Sequence, residues 1–185
     1  TMGHQFYDTV APQDYAHMNS IFIDPKDSNL VVSMHNANQV LKINRHSGDI
    51  MWRLGGRSSD FDLSLEQVFL RQHHATFIDS HTLLLFDNGD KSARPYSRII
   101  EFTLDEENKK IIGFKARRIP APFAGTRGSV QRIDGKYFIC GGSANYVLEL
   151  DCATGEKIIE LKTNQPLYRA QIVTSIPGML QHSNR

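Results

Sequence analysis

Short hydrophobic runs alternate with polar, turn-forming segments along most of this chain. In the first part of the chain the runs lie at residues 20–23, 30–33, 40–43 and 50–54. The segments between them, such as residues 24–29 and 44–48, are rich in Asp, Asn, Ser, Gly and Pro, which favour turns. Runs of four to six residues of this kind are typical of β-strands rather than helices. The pattern therefore predicts four antiparallel strands in this part of the chain.

The same order of runs and turns appears twice more. We predict strands at residues 75–78, 83–86, 99–102 and 111–114, and then at 130–133, 137–140, 147–150 and 157–161. The last hairpin of the third unit aligns with that of the first, because residues 147–155 match residues 40–48 position for position in type. The chain is therefore expected to contain three copies of one four-stranded unit.

Three aspartates mark the period of this repeat. Asp24, Asp79 and Asp134 are spaced 55 residues apart, and each ends a similar six-residue phrase. We expect these aspartates to cap the turn after the first strand of each unit, since Asp accepts hydrogen bonds from nearby backbone amides. The chain just before the phrases carries His17, His73 and Arg127. A fixed period would place these residues in one part of the molecule.

Repeated units of four antiparallel strands predict an all-β fold, a β-propeller. The blades would span about residues 17–56, 73–117 and 129–163, and the first strand of a fourth would begin at 168–175. Propellers close with about four to eight blades. We therefore expect either that the chain is a piece of a larger ring or that chains self-associate to close it, since two copies of three blades would give six.

Composition narrows the classes of function. At 40% hydrophobic and 22% charged residues the chain is expected to be soluble and globular. A formal net charge of +1 gives no basic field for nucleic acid or an anionic membrane. There is no apolar run of membrane-spanning length and no visible signal peptide. Two cysteines, Cys140 and Cys152, provide neither a disulfide framework nor metal-ligand spacing. We predict no metal and no cofactor.

The repeat also predicts a site, without reference to any family. The first strand of a propeller blade runs nearest the axis, so the starts of these strands line a common funnel. His17, His73, Arg127 and Arg169 fall there by repeat position. Imidazoles and guanidiniums facing a funnel can bind a sulfate, phosphate or carboxylate group. The alternative is that each histidine is a hydrogen-bonded structural residue. His35 and His46 are expected to be surface residues in turns.

Several phrases resemble those of the arylsulfotransferase family, in order along the chain. They lie at residues 17–20, 48–56, 72–75, 86–89, 96–98, 128–132 and 168–170. The resemblance implies a six-bladed propeller that moves a sulfuryl group from an aryl sulfate to a phenol through a histidine. It also implies a periplasmic or secreted protein, while the sequence itself leaves the cytoplasm open.

Site residues follow from this resemblance and from the repeat positions. The catalytic candidates are His17, His73 and Arg98. The substrate-binding candidates are His74, Asn88, Arg94, Arg127 and Arg169. Asn88 lies in the phrase 87–90, which lacks the spaced carboxylates of a calcium loop, and we expect a turn that exposes Asn88 to the funnel.

One departure from the family keeps other functions open. The family's sulfuryl-accepting histidine is expected near residues 125–131, where this chain has none. The missing histidine favours a propeller that binds anionic ligands or protein partners without catalysis. A third interpretation, a quinoprotein-like propeller, is suggested by Trp52 in the phrase 47–52. Trp52 itself is expected to pack between blades, since large aromatic side chains dominate such burial.

Overall fold

The computed structural model describes residue 14 and residues 16–173. All twelve predicted strands are present among them. They are β1 Met18–Ile23, β2 Leu30–Met34, β3 Gln39–Ile43, β4 Ile50–Gly55, β5 His73–Phe77, β6 Thr82–Asp87, β7 Arg98–Asp105, β8 Lys110–Arg118, β9 Ser129–Ile133, β10 Lys136–Cys140, β11 Tyr146–Asp151 and β12 Lys157–Lys162. A short 3₁₀ turn lies at Gly142–Ala144, between β10 and β11.

The strands form three separate four-stranded antiparallel sheets. Each sheet contains consecutive strands in chain order, so every connection inside a sheet is a hairpin. The first strands of neighbouring sheets lie against one another, β1 against β5 and β5 against β9. This is the arrangement of β-propeller blades around an axis, and the predicted fold class is confirmed.

Two hydrophobic cores join the three sheets. The first lies between the first and second sheets and contains Val31, Trp52, Phe77 and Leu85. The second lies between the second and third sheets and contains Leu84, Phe86, Tyr137 and Leu148. The middle sheet is thus covered on both faces, which explains why the whole run 83–86 is apolar rather than alternating.

Trp52 has the predicted position between blades. Its side chain is 1% exposed. Its ring meets the rings of Phe61 and Phe77 edge to face at centroid distances of 5.6 and 6.5 Å. The indole Nε1 donates a hydrogen bond to Glu106 Oε2 at 2.8 Å, across the boundary between the first two sheets.

The turn role predicted for the repeat aspartates is found in two of the three. Asp24 Oδ1 accepts a hydrogen bond from Lys26 N, and Asp79 Oδ1 accepts bonds from His81 N and Thr82 N. Asp134 instead lies in the turn itself with φ at 48° and an exposed side chain. In the third unit a two-residue turn joins the strands, so no longer loop remains for the carboxylate to cap.

The two outermost sheet faces are apolar and uncovered. Ile21 and Ile23 on β1 are 58% and 59% exposed, and Ile159 and Leu161 on β12 are 45% and 58% exposed. In the middle sheet the corresponding residues of the first strand, Thr76 and Ile78, are partly buried. Three blades therefore leave both ends of the stack unpacked, as the unfinished ring predicts.

Residues 168–172 run beside β9 without forming a strand. Ala170 N donates a hydrogen bond to Ser129 Oγ at 3.2 Å, and Ile172 N donates to Gln131 Oε1 at 2.7 Å. The first bond resembles the one from Ala75 N to Ser20 Oγ between the first two blades. The segment therefore lies where a following first strand would lie, and the fourth blade itself stays a prediction.

Candidate functional site

Three histidine rings form a row at the end of the sheets where β1 and β5 begin. The ring centroids of His17 and His35 are 5.1 Å apart, and those of His35 and His73 are 5.2 Å apart. The exposed ring of Tyr168 lies at 6.4 Å from His73 on the far side. We call His17, His35 and His73 the histidine row.

His35 is in the row because of hairpin register. In the β1–β2 hairpin Met18 pairs with Met34 and His35 N donates to His17 O at 3.1 Å, so the two histidines lie side by side. The expectation of a surface position for His35 is wrong, since it is 6% exposed. The signal was present in the sequence. Pairing β1 with β2 outward from the turn at residues 24–29 brings His35 close to His17 across the hairpin.

The outermost member of the row, His17, is exposed and paired with a carboxylate. Its Nδ1 lies 2.9 Å from Asp14 Oδ2, and about half of its side chain is exposed. A carboxylate on Nδ1 holds the proton there and leaves Nε2 to exchange protons with the surroundings. The pair therefore has the form of a general acid or base.

His73 is held in a single tautomer. Asn88 Nδ2 donates to Ala124 O and Arg127 O, which can only accept, so Asn88 Oδ1 must face His73 Nδ1 at 2.8 Å. Nδ1 therefore carries the proton, and Nε2 accepts a hydrogen bond from Arg127 N at 3.2 Å. Burial lowers the pKa of His73 to about 4, so the ring is neutral near pH 7.

Asn88 is completely buried rather than exposed to the funnel. Both ends of its amide are used, and its backbone oxygen accepts a bond from Ser97 Oγ at 2.9 Å. The expected exposure of Asn88 is therefore wrong. In this structure Asn88 ties the second sheet to the loop before β9 and orients His73.

The repeat register differs by one position from the expected alignment. Counted back from the repeat aspartates, the residue equivalent to His17 and Arg127 is Gln72, not His73. Gln72 is fully buried, and its Nε2 donates to Gln39 O at 2.9 Å. His73 is equivalent to Gly128 in the third sheet, where φ is +107° and a Cβ would lie 2.9 Å from Phe86. A third histidine does not fit at that position.

Two arginines lie close to the row, Arg71 and Arg127, the latter through its backbone N, which donates to His73. Arg127 is exposed, and among the described residues its side chain has no hydrogen-bond or ion-pair partner. Arg71 is paired through Nε with Asp90 Oδ2 at 2.7 Å and is 42% exposed. Its charge is among the causes that lower the pKa of His35, after burial. Arg71 immediately precedes the phrase 72–75 and was not among the predicted residues.

His74, the neighbour of His73, belongs to a second cluster, formed with Phe22 of β1 and residues 169–171. A β-bulge between His73 and Thr76 turns its ring toward β1, where it lies edge to face against Phe22 at 4.9 Å. Gln171 Nε2 is 3.4 Å from His74 Nε2, and the Arg169 guanidinium lies over the same Phe22 ring at 5.8 Å. Burial, with the charge of Arg169, lowers the pKa of His74 to about 3.

Arg94 and Arg98 form a third group around Asp87. Arg98 Nε donates to Asp87 Oδ2 at 2.8 Å, its Nη2 donates to Val68 O at 2.7 Å, and Arg94 Nη2 donates to Asp87 Oδ1. Arg98 is 8% exposed. The pair thus neutralises a buried carboxylate next to Asn88 and holds the loop 56–70.

An apolar cavity of about 530 Å³ opens beside Arg94. Its walls come mainly from the loop between β4 and β5, and they include Phe61, Leu63, Val68 and Phe69. The cavity is bounded by Gly55 and Gly56 at the end of β4, on the same end of the sheets as the histidine row.

The described residues contain neither a group of three or more metal-ligating side chains nor a helix of membrane-spanning length. Both cysteines are buried free thiols.

The fold is that of a β-propeller, and the row of histidines lies where the first strands of its first two blades begin. The arylsulfotransferase (ASST) family profile matches residues 1–181, and the chain belongs to this family. The resemblance seen in the sequence phrases is thereby confirmed.

Solved structures agree with the fold. The catalytically inactive H270A virginiamycin B lyase from Staphylococcus aureus, with quinupristin, is 16% identical, with a TM-score of 0.52 over 85% of this chain and 45% of that one. Hydrazine synthase of Kuenenia stuttgartiensis is 13% identical, with a TM-score of 0.54 over 88% and 40%. At these identities the likeness concerns the fold alone. This chain spans less than half the length of either protein. A search of curated protein sequences found no match.

Proposed function

We propose that this protein transfers a sulfuryl group from an aryl sulfate to a phenol. Family membership supports the reaction class. The observation that supports it most directly is the histidine row, with rings 5.1 and 5.2 Å apart. Sulfuryl transfer, like phosphoryl transfer, depends mainly on positioning and on stabilising charge on the equatorial oxygens. Imidazoles, together with the exposed cationic side chain of Arg127, would provide both.

Each predicted residue has a proposed role that fits its surroundings. His17, paired with Asp14, exchanges a proton with the phenol oxygen.

His73 remains neutral and lines the site, oriented by Asn88. Arg127, together with Arg71, attracts the sulfate. Arg94 and Arg98 act on the site indirectly through Asp87, and His74 with Arg169 belongs to the second cluster, where a second anionic group could bind.

The apolar cavity beside Arg94 is the proposed position of an aromatic ring. Its walls are mostly apolar side chains, Phe61, Leu63, Val68 and Phe69 among them. Flat aromatic groups gain most from burial against such walls. An aryl group there would lie at the same end of the propeller as the histidine row.

The proposed partner for ring closure is a second copy of the chain. The apolar faces of β1 and β12 are both uncovered, and two copies of three blades would cover them. A larger polypeptide with further blades would cover them equally, and the two cases differ in molecular mass.

A chromogenic assay tests the reaction. The protein at its full length is mixed with 4-nitrophenyl sulfate, and nitrophenol release is followed with and without a phenol acceptor. We expect release that increases with acceptor concentration. A His17→Asn variant should lose about 10²-fold or more in rate, while His46→Asn, in an exposed turn, should match the wild type. Absence of turnover over a panel of aryl sulfates would contradict the proposal.

The second candidate is a propeller that binds anions without catalysis. It is favoured by one observation, that both ring nitrogens of His73 are already occupied. Titration calorimetry with sulfate separates the two candidates. Heat of binding without turnover, lost in Arg127→Gln, would support the binding protein.

A further inference from the structure

His35 is held in a single tautomer, as His73 is. Asn36 Nδ2 donates to Asp14 O at 2.6 Å, and a carbonyl can only accept, so Asn36 Oδ1 must face His35 Nδ1 at 2.7 Å. Nδ1 therefore carries the proton. The lone pair is on Nε2, which is the nitrogen that could attack an electrophile.

That nitrogen is unoccupied. Among the described residues Nε2 of His35 has no hydrogen-bond partner, and it is not one of the buried polar atoms sealed from solvent. His73 differs, because its Nε2 accepts the bond from Arg127 N. His74 differs as well, because it is 1% exposed and lies against Phe22 and Gln171. His17 has no hydrogen bond at Nε2 within the part of the chain that the structure describes, but it stands at the exposed edge of the row.

The neighbours of His35 suit a transfer reaction. His17, with its Asp14 partner, lies on one side at a ring distance of 5.1 Å, where it can supply or take a proton. Arg71 is close enough for its charge to act on His35, and burial lowers the pKa of His35 so that the ring stays neutral near pH 7. A neutral nucleophile, an acid or base and a cation thus lie near one another.

We propose that His35 Nε2 is the atom that accepts the sulfuryl group. This proposal rests on the proposed sulfotransferase function and supplies the accepting histidine that residues 125–131 lack. His35 was expected from the sequence to be a surface residue, and an Nε2 without a hydrogen-bond partner among the described residues is what distinguishes it from His73.

The proposed transfer takes place in two steps. The Nε2 lone pair attacks sulfur, the bond from sulfur to the aryl oxygen breaks, and the leaving phenolate takes a proton from His17. The product is an N-sulfo-imidazolium whose Nδ1–H remains bonded to Asn36 Oδ1. In the second step a phenol oxygen attacks sulfur while His17 takes the phenol proton, and the electron pair of the nitrogen–sulfur bond returns to Nε2.

Mapping the covalent intermediate tests this assignment in the wild-type protein. The full-length protein is mixed with 4-nitrophenyl sulfate without acceptor, quenched at alkaline pH and digested. Mass spectrometry should find one added sulfuryl group on the peptide that contains His35. A sulfuryl group on His17, on His73 or on a residue elsewhere in the protein would overturn the assignment while leaving the sulfotransferase function standing. A wild-type protein without any turnover would overturn both.

A pair of variants gives a second, kinetic readout. His35→Asn should lower acceptor-dependent turnover by on the order of 10³-fold or more, as removal of a nucleophile does. His46→Asn is the matched control and should retain full turnover. Addition of free imidazole to His35→Gly should restore part of the nitrophenol release, which loss of structure alone would not allow. Unchanged turnover in a folded His35→Asn protein would contradict the proposal.

Discussion

At the scale of single residues, the tautomer and the hydrogen bonds of each histidine depend on its neighbours in space rather than on its place in the sequence. His73 and His74 are adjacent, yet Asn88 and Arg127 occupy both nitrogens of His73, while His74 faces Phe22 and Arg169. Asn36 and Asn88 orient their histidines in the same way. In each, the side-chain amide nitrogen donates to a backbone carbonyl, so the amide oxygen faces the imidazole. Each amide oxygen then fixes a proton on one imidazole nitrogen.

Buried neutral histidines predict that the fold becomes less stable in acid. The pKa of His73 is lowered to about 4 and that of His74 to about 3, below the ordinary value of 6.5. The unfolded chain therefore binds more protons than the folded chain below pH 6.5. Stability should be full above pH 6.5 and fall as the pH decreases toward 4, by up to about 1.4 kcal/mol per pH unit for each histidine.

Urea unfolding at several pH values between 4.5 and 7 measures this dependence. His74→Gln should flatten the profile, whatever its effect at neutral pH, because one proton-binding group of the unfolded chain is gone. His81→Gln, at an exposed turn, should leave the folded protein's midpoint near that of the wild type at pH 7. A wild-type midpoint that does not change with pH would contradict the burial of these two rings.

At the scale of elements, the blades are joined by charge as well as by apolar packing. Lys42 on β3 is 1% exposed, and its Nζ contacts Asp24 and Asp27 of its own sheet and Glu106 of the next at 2.6 to 2.7 Å. Burial opposes the charge on Lys42, but the three carboxylates outweigh it and raise the pKa of its amine. Glu106 also accepts the Trp52 indole bond, so one carboxylate links both residues to the second blade.

Removal of the Lys42 amine should loosen the first blade from the second. In Lys42→Met the methylenes are retained while carboxylates are left close together without their cation. We expect a loss of about 3 to 5 kcal/mol in the free energy of unfolding, as for other buried pairs broken on one side. Lys26→Met, which removes a half-exposed amine 3.5 Å from the same Glu106, should cost less than about 1 kcal/mol. Equal effects of the two changes would contradict this account.

At the scale of the whole molecule, the unfinished ring leaves Glu149 on β11 without a partner in a following blade. Lys42, Glu101 and Glu149 occupy matching positions on β3, β7 and β11, and the first two reach the following blade at Glu106 and Tyr137. Glu149 instead lies 3.6 Å from Lys136 of its own sheet. Counted from the turns that follow β3 and β7, Arg45 in the first sheet matches Glu106 in the second, and its side chain is exposed.

Closure by a second copy would therefore place Glu149 opposite Arg45 of the other chain. We expect the 185-residue chain to have the mass of a dimer by light scattering. Glu149→Arg should shift it toward the monomer, and the double change Glu149→Arg with Arg45→Glu should restore the dimer. Glu156→Arg, in an exposed turn, is the control. A monomer at all concentrations would overturn closure by a second copy.

The strands and sheets could be predicted from the sequence because their causes are local. Runs such as 83–86 bury apolar side chains on a pleated sheet, and the turns between them contain residues that favour turns. All twelve strands and the position of Trp52 between blades follow from such patterns, repeated at a period of 55 residues. The family, too, could be recognised from the order of its phrases.

The tertiary structure alone decided how the polar residues are used. Asn88 is buried because the loop before β9 closes over it, and Arg98 is turned to Asp87 because a buried carboxylate needs a cation. His35 is beside His17 because of hairpin register, and its Nε2 is free because Asn36 is held by Asp14. Burial and hydrogen-bond geometry depend on residues distant in the chain. A local sequence pattern can therefore identify candidate site histidines, but it cannot determine which ring nitrogen of each carries the proton.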